Sequence, residues 1–162
     1  MKIITFLTIF TLIFSNNCLS QTKTETEDFI KKYLEAYPQN NGADLEKTEI
    51  TIKNTDKFGY CFFYVNKIPY LGHFVYRFEP KDIQSIVIDK NTLESSVILR
   101  VKLKQNKYVA WMILGSGDMQ YQNDLEIMVG SSSKSDQIPE RLKKAIEHLS
   151  NITGGSITVD KF

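Results

Sequence analysis

The sequence predicts an α+β fold, mainly β, in which about seven antiparallel strands lie between two helices. Three observations carry this. Apolar residues recur at helical spacing near residues 29–37 and again near 142–149. Between residues 48 and 129 the apolar period shortens to that of strands. Turn formers punctuate that stretch at short intervals.

The first twenty residues stand apart from that fold. Met1-Lys2 supplies one positive charge, and Ile3 to Phe14 is apolar but for three threonines. Ser15-Asn16-Asn17-Cys18-Leu19-Ser20 is mostly small and polar. That order is the one of a secretory leader, and the apolar run is too short for a stable span. The cut is expected after Ser20, with Ser15 as the alternative. The competing reading is a lipid anchor on Cys18, for which the positions before it hold the ill-fitting Asn17 and Ser15. The expected division is 1–20 leader, 21–47 helix and linker, and 48–162 antiparallel β domain with a C-terminal helix.

In the first helix, Thr24 with Glu27 three residues on predicts a capping box. Phe29, Ile30, Tyr33, Leu34 and Tyr37 form its apolar face, and Pro38 with Asn40-Asn41-Gly42 stops it. Strands are expected at 49–53, 58–65, 70–78, 83–88, 97–104, 108–114 and 125–129. The second is nearly continuous aromatic and β-branched sequence, which predicts cover on both faces. Gln105-Asn106 is expected to be a tight hairpin turn between the fifth and sixth. The last helix begins near Ser135 or Asp136, tolerates Pro139 in its first turn, and carries Leu142, Ala145, Ile146 and Leu149 on one stripe. Gly154-Gly155 ends it. Residues 156–162 alternate weakly, as a small edge strand or a tail.

Charge and cysteine count narrow the function. The chain has 20 basic and 19 acidic side chains. Without Lys2 the two signs balance, which excludes a global electrostatic footprint for nucleic acid or an acidic membrane surface. After cleavage Cys61 stands alone, so no internal disulfide holds the fold.

Tyr76-Arg77-Phe78-Glu79-Pro80-Lys81-Asp82-Ile83-Gln84-Ser85-Ile86, together with Ile138-Pro139-Glu140-Arg141-Leu142-Lys143-Lys144-Ala145-Ile146-Glu147-His148-Leu149, resembles uncharacterised secreted bacterial proteins with a pleckstrin-homology-like domain. The likeness runs from about Thr48 to Ile152. It implies a barrel of about seven antiparallel strands closed by the C-terminal helix, with the N-terminal helix as an addition on an outer sheet surface. It carries over no catalytic residue. The rival architecture is a cystatin- or nuclear-transport-factor-like α+β roll, which accounts better for the first helix and worse for the last.

No sequence motif carries chemistry. His73 and His148 are the only histidines. A Cys61–His73 nucleophile pair requires their strands to pair in register and an exposed thiolate, whereas Tyr60-Cys61-Phe62-Phe63 predicts a buried, inert thiol. No histidine, cysteine and carboxylate cluster has metal-ligand spacing. Gly115-Ser116-Gly117-Asp118 lacks the lysine and the following helix of a phosphate loop, and reads as a strand-to-strand turn. Asp82, Asp89, Asp118 and Asp124 fall at turns, where acids commonly form turns or caps. Lys53 and Lys57, with Asp56 between them, are too few for phosphoinositide binding at the first hairpin.

The expected function is an exported, non-enzymatic binding or structural module of the cell envelope, with no cofactor, no metal and no nucleic-acid partner. An envelope protein or a glycan is the expected partner. The aromatic residues Tyr60, Phe62, Phe63, Tyr64, Tyr70, Phe74, Tyr76 and Phe78 are too many to point all inward, and some are expected on a contact surface. The alternative is a small secreted hydrolase whose site combines turn carboxylates with His73.

Overall fold

A computed structural model describes residues 21–37, 47–68, 72–89, 96–130 and 137–157. The expected leader with Cys18, the expected stop at Pro38 to Gly42, Tyr70, the expected cap at Ser135 or Asp136 and residues 158–162 lie outside them. Helix α1 spans Lys23–Ala36 and helix α2 Ile138–Ile152. Between them run β1 (Lys47–Thr55), β2 (Gly59–Ile68), β3 (Gly72–Phe78), a 3-10 turn (Pro80–Asp82), β4 (Ile83–Asp89), β5 (Ser96–Leu103), β6 (Val109–Ile113), β7 (Gln120–Gln122) and β8 (Asp124–Gly130).

All strand pairs are antiparallel, in two sheets ordered β1-β2-β3-β6-β7 and β4-β5-β8. The mainly β, two-helix composition agrees with the sequence. No ladder joins the two sheets among the described residues. The order also corrects one expectation. Gln105-Asn106 is a turn, with Asn106 at φ 62°, but β5 and β6 do not pair. The chain crosses there from the small sheet to the large one. Asn123 holds the crossing: its Nδ2 donates to the carbonyls of Leu103, Lys104 and Lys107 at 3.0–3.4 Å. A side chain twenty residues distant supplies the bonds that a hairpin ladder would have made, and local pattern does not reveal it.

Strand β7 is not evident from the sequence. Three residues are too few to show a period, and the glycine-rich turn before it reads as loop. That turn is as expected a strand-to-strand connection, joining β6 to β7 with Gly115 at φ 98° and Gly117 at φ 77°, conformations a side chain resists.

The cap of α1 also lies elsewhere. Thr22, not Thr24, is the N-cap, and Glu25, not Glu27, completes the box: Glu25 N–H donates to Thr22 Oγ1 at 3.2 Å, and Thr22 N–H donates to Glu25 Oε2 at 2.8 Å. Both threonine–glutamate pairs have the required spacing. The second loses because Glu27 turns to the sheet, where it accepts from the Tyr60 hydroxyl.

One apolar cluster unites both sheets and both helices. Ile30 and Leu34 of α1 share it with Ile50, Phe62 and Phe78 of the large sheet, while Leu99, Val101, Leu103, Leu125, Ile127 and Val129 come from the small sheet. The predicted stripe of α2 (Leu142, Ala145, Ile146 and Leu149) is buried in the same cluster. Helix α2 packs on α1, β4, β5 and the 3-10 turn. Its end is fixed by a close approach. A Cβ on Gly155 would stand 2.9 Å from the Lys81 carbonyl oxygen and 2.3 Å from Ser150 Oγ, so only glycine fits. No helix among the described residues is long and apolar enough to cross a membrane.

Candidate functional site

The sheet register separates Cys61 from His73. His73 stands opposite Lys67, and Cys61 stands opposite Lys53 on the other side of β2. Six residues of strand, roughly 20 Å at about 3.3 Å each, separate Lys67 from Cys61, so the nucleophile pair does not form. His73 is exposed. No hydrogen bond or ion pair joins it to Asp82, Asp89, Asp118 or Asp124 among the described residues. Asp82 is buried and pairs with Lys107 at 3.3 Å, while Asp89 stands 3.9 Å from Arg100. Asp118 and Asp124 are exposed. No group of three histidines, cysteines or carboxylates placed for a metal occurs among the described residues.

Cys61 itself is buried, at 1 % exposure, and its thiol donates to the Phe58 carbonyl at 3.4 Å. Burial pushes the thiol above its ordinary value, with the Glu79 charge adding to the effect. The thiolate is therefore disfavoured.

What surrounds Cys61 is more informative than the thiol. A pocket of about 240 Å3 opens over it on one face of the large sheet. Arg77, Ala110 and Tyr121 are in direct register across β3, β6 and β7, so their side chains share that face. Tyr108, two residues before Ala110, rises beside them. Phe58, from the β1–β2 turn, closes the row.

The Arg77 guanidinium carbon lies 3.4 Å from the Phe58 ring centroid. Stacking on an aromatic face orients a guanidinium and leaves its N–H edge free for a ligand. Arg77 has no ion pair among the described residues, whereas Lys107 and Lys81 are matched to Asp82 and Glu79 at 3.3 and 2.7 Å. The pocket therefore presents one oriented cation beneath three exposed aromatic side chains: Phe58 at 37 %, Tyr108 at 56 % and Tyr121 at 64 %.

The aromatic residues of β2 and β3 are placed differently. Phe62, Tyr64 and Phe78 are buried, and Tyr60, Phe63, Phe74 and Tyr76 are half-buried. Phe74 and Tyr76 stack with Trp111 at 6.5 and 6.2 Å. The most exposed rings among the described residues thus come from the β1–β2 turn, the β5–β6 crossing and β7. In the sequence Phe58 and Tyr108 read as strand residues, and no pattern singles out Tyr121 as part of a site. The available signal was Tyr121 alone among polar neighbours in Met119-Gln120-Tyr121-Gln122.

Comparison of the chain with protein-family models, curated proteins and solved structures gives no match.

Proposed function

We propose that this chain is an exported, non-enzymatic binding module of the bacterial cell envelope, and that the Arg77 pocket receives an acidic unit of an envelope glycan. The single observation that carries the reading is the convergence of Phe58, Tyr108 and Tyr121 on one arginine that makes no ion pair among the described residues. Exposed aromatic faces take the apolar faces of sugar rings, phenolic hydroxyls supply hydrogen bonds, and a guanidinium takes a carboxylate through two parallel N–H donors. The pocket is smaller than the ~300–1,000 Å3 of sites that enclose a drug-sized ligand, which suits one ring of a longer polymer.

The leader-like first twenty residues support export. The shared core of two antiparallel sheets and a terminal helix supports a pleckstrin-homology-like architecture, from which the β3–β6 pairing is a departure.

Retention of the purified protein on insoluble peptidoglycan, with chitin as the neutral control polymer, tests the function. Retention on peptidoglycan alone is expected, with loss in a Tyr108→Ala/Tyr121→Ala variant of unchanged melting temperature. Equal retention of that variant would refute the reading.

A further inference from the structure

A second cleft lies between the start of α1 and the outer side of α2, away from the Arg77 pocket. It measures about 770 Å3 and is lined by Gln21, Glu25 and Phe29 on one side and by Arg141, Lys144 and His148 on the other. The three α2 residues follow one another at i, i+3 and i+7, which puts them on one helix face. The balanced charge of the chain conceals this local concentration of cations.

Arg141 is held without a carboxylate. Its guanidinium carbon is 5.2 Å from the Phe29 ring centre and 5.4 Å from that of Tyr33. Neither Arg141 nor Lys144 makes an ion pair among the described residues, while the neighbouring Lys143 stands 3.8 Å from Glu147. The carboxylate in the cleft, Glu25, is engaged elsewhere: its Oε2 accepts from the Thr22 N–H at 2.8 Å and the Thr22 hydroxyl at 2.9 Å. His148 Nε2 donates to the Gln21 carbonyl at 2.9 Å, and so fixes the chain that forms the cleft's far wall.

We propose that this cleft binds a phosphate-bearing anion, with Arg141 and Lys144 as its cationic contacts and His148 as a positioning residue. A carboxylate is satisfied by one arginine fork. Two cations side by side suit a group with more oxygens and up to two charges: the arginine takes two oxygens in its plane and the lysine serves as a movable point charge. Phe29 and Ala145 add an apolar wall for the carbon skeleton that carries the phosphate. Such a phosphate belongs either to a small soluble ester or to a lipid headgroup.

Calorimetric titration with glycerol phosphate, against acetate, covers the first source. Co-sedimentation with phosphatidylglycerol vesicles, against phosphatidylcholine vesicles, covers the second. Binding in the first arm identifies a soluble ester; binding in the second alone identifies a headgroup. In whichever arm binds, Arg141→Gln and Lys144→Gln should each weaken it about tenfold, as loss of a charge-assisted contact does. Glu25→Gln, which preserves the capping box, should tighten it, and Lys102→Gln on β5 should leave it unchanged. Absence of binding in both arms, equal affinity for acetate, or an equal loss in Lys102→Gln would overturn the proposal.

Discussion

Arg77 and Phe58 are in face-on contact, with the guanidinium carbon 3.4 Å from the ring centroid. The pairing links the β1–β2 turn to β3 and gives the pocket over Cys61 both its cation and one wall. Phe58→Ala should remove a cation–π contact of about 0.5–2 kcal/mol and free the arginine. The expected outcome in urea denaturation is a small fall in stability, together with weaker peptidoglycan retention. Phe58→Tyr should preserve both.

Leu149 is fully buried on the inner stripe of α2, whereas Lys143 lies outside it. Truncation of a buried leucine costs about 2–5 kcal/mol through lost transfer energy and a residual cavity. Leu149→Ala should therefore lower the thermal midpoint clearly and Lys143→Ala hardly at all. Similar melting of the two would mean that α2 is not part of the core.

The two threonine–glutamate pairs at the start of α1 make unequal predictions. Thr22→Ala removes the side chain that caps the helix and should cost about 0.5–2 kcal/mol, read as a shift of the denaturation midpoint. Thr24→Ala, at an exposed helical position, should be nearly neutral.

Acidic groups raised by burial make the fold sensitive to alkali, Cys61, Tyr60 and Tyr76 among them. Burial raises the Cys61 thiol, and burial together with the Glu27 carboxylate raises the Tyr60 phenol. For a group whose folded value is raised, the stabilising contribution is complete below its unfolded value and disappears as pH climbs towards the folded one. Unfolded thiols and phenols titrate near about 8.5 and 10, so stability should decline from about pH 8.5 upward, and less so in Cys61→Ala/Tyr60→Phe. Maleimide labelling of native Cys61 at neutral pH should be slow and should accelerate on unfolding. Fast labelling of the folded form would contradict its burial.

The elements with long, regular periods were legible in the sequence. The alternation of Val97, Leu99, Val101 and Leu103 gives β5, and the Leu142–Leu149 stripe gives α2, because each buries one face against a single core. Strand partners were not legible. Gln105-Asn106 has the composition of a hairpin turn, yet the Asn123 amide and the β3–β6 pairing turn it into a crossing between sheets. The pocket was hidden for the same reason. Arg77, Tyr108 and Tyr121 meet only through the register of three strands, and local sequence does not encode that register.

The proposed function turns on which aromatic residues would meet a glycan. NMR titration with soluble muropeptides, followed at the ring carbons and at arginine Nε, tests it most directly. The expected shifts are confined to Phe58, Arg77, Tyr108 and Tyr121, with Phe74, Tyr76 and Trp111 unmoved. Shifts centred on Trp111 and its stacked neighbours, or none at the Arg77 pocket at saturating ligand, would contradict it.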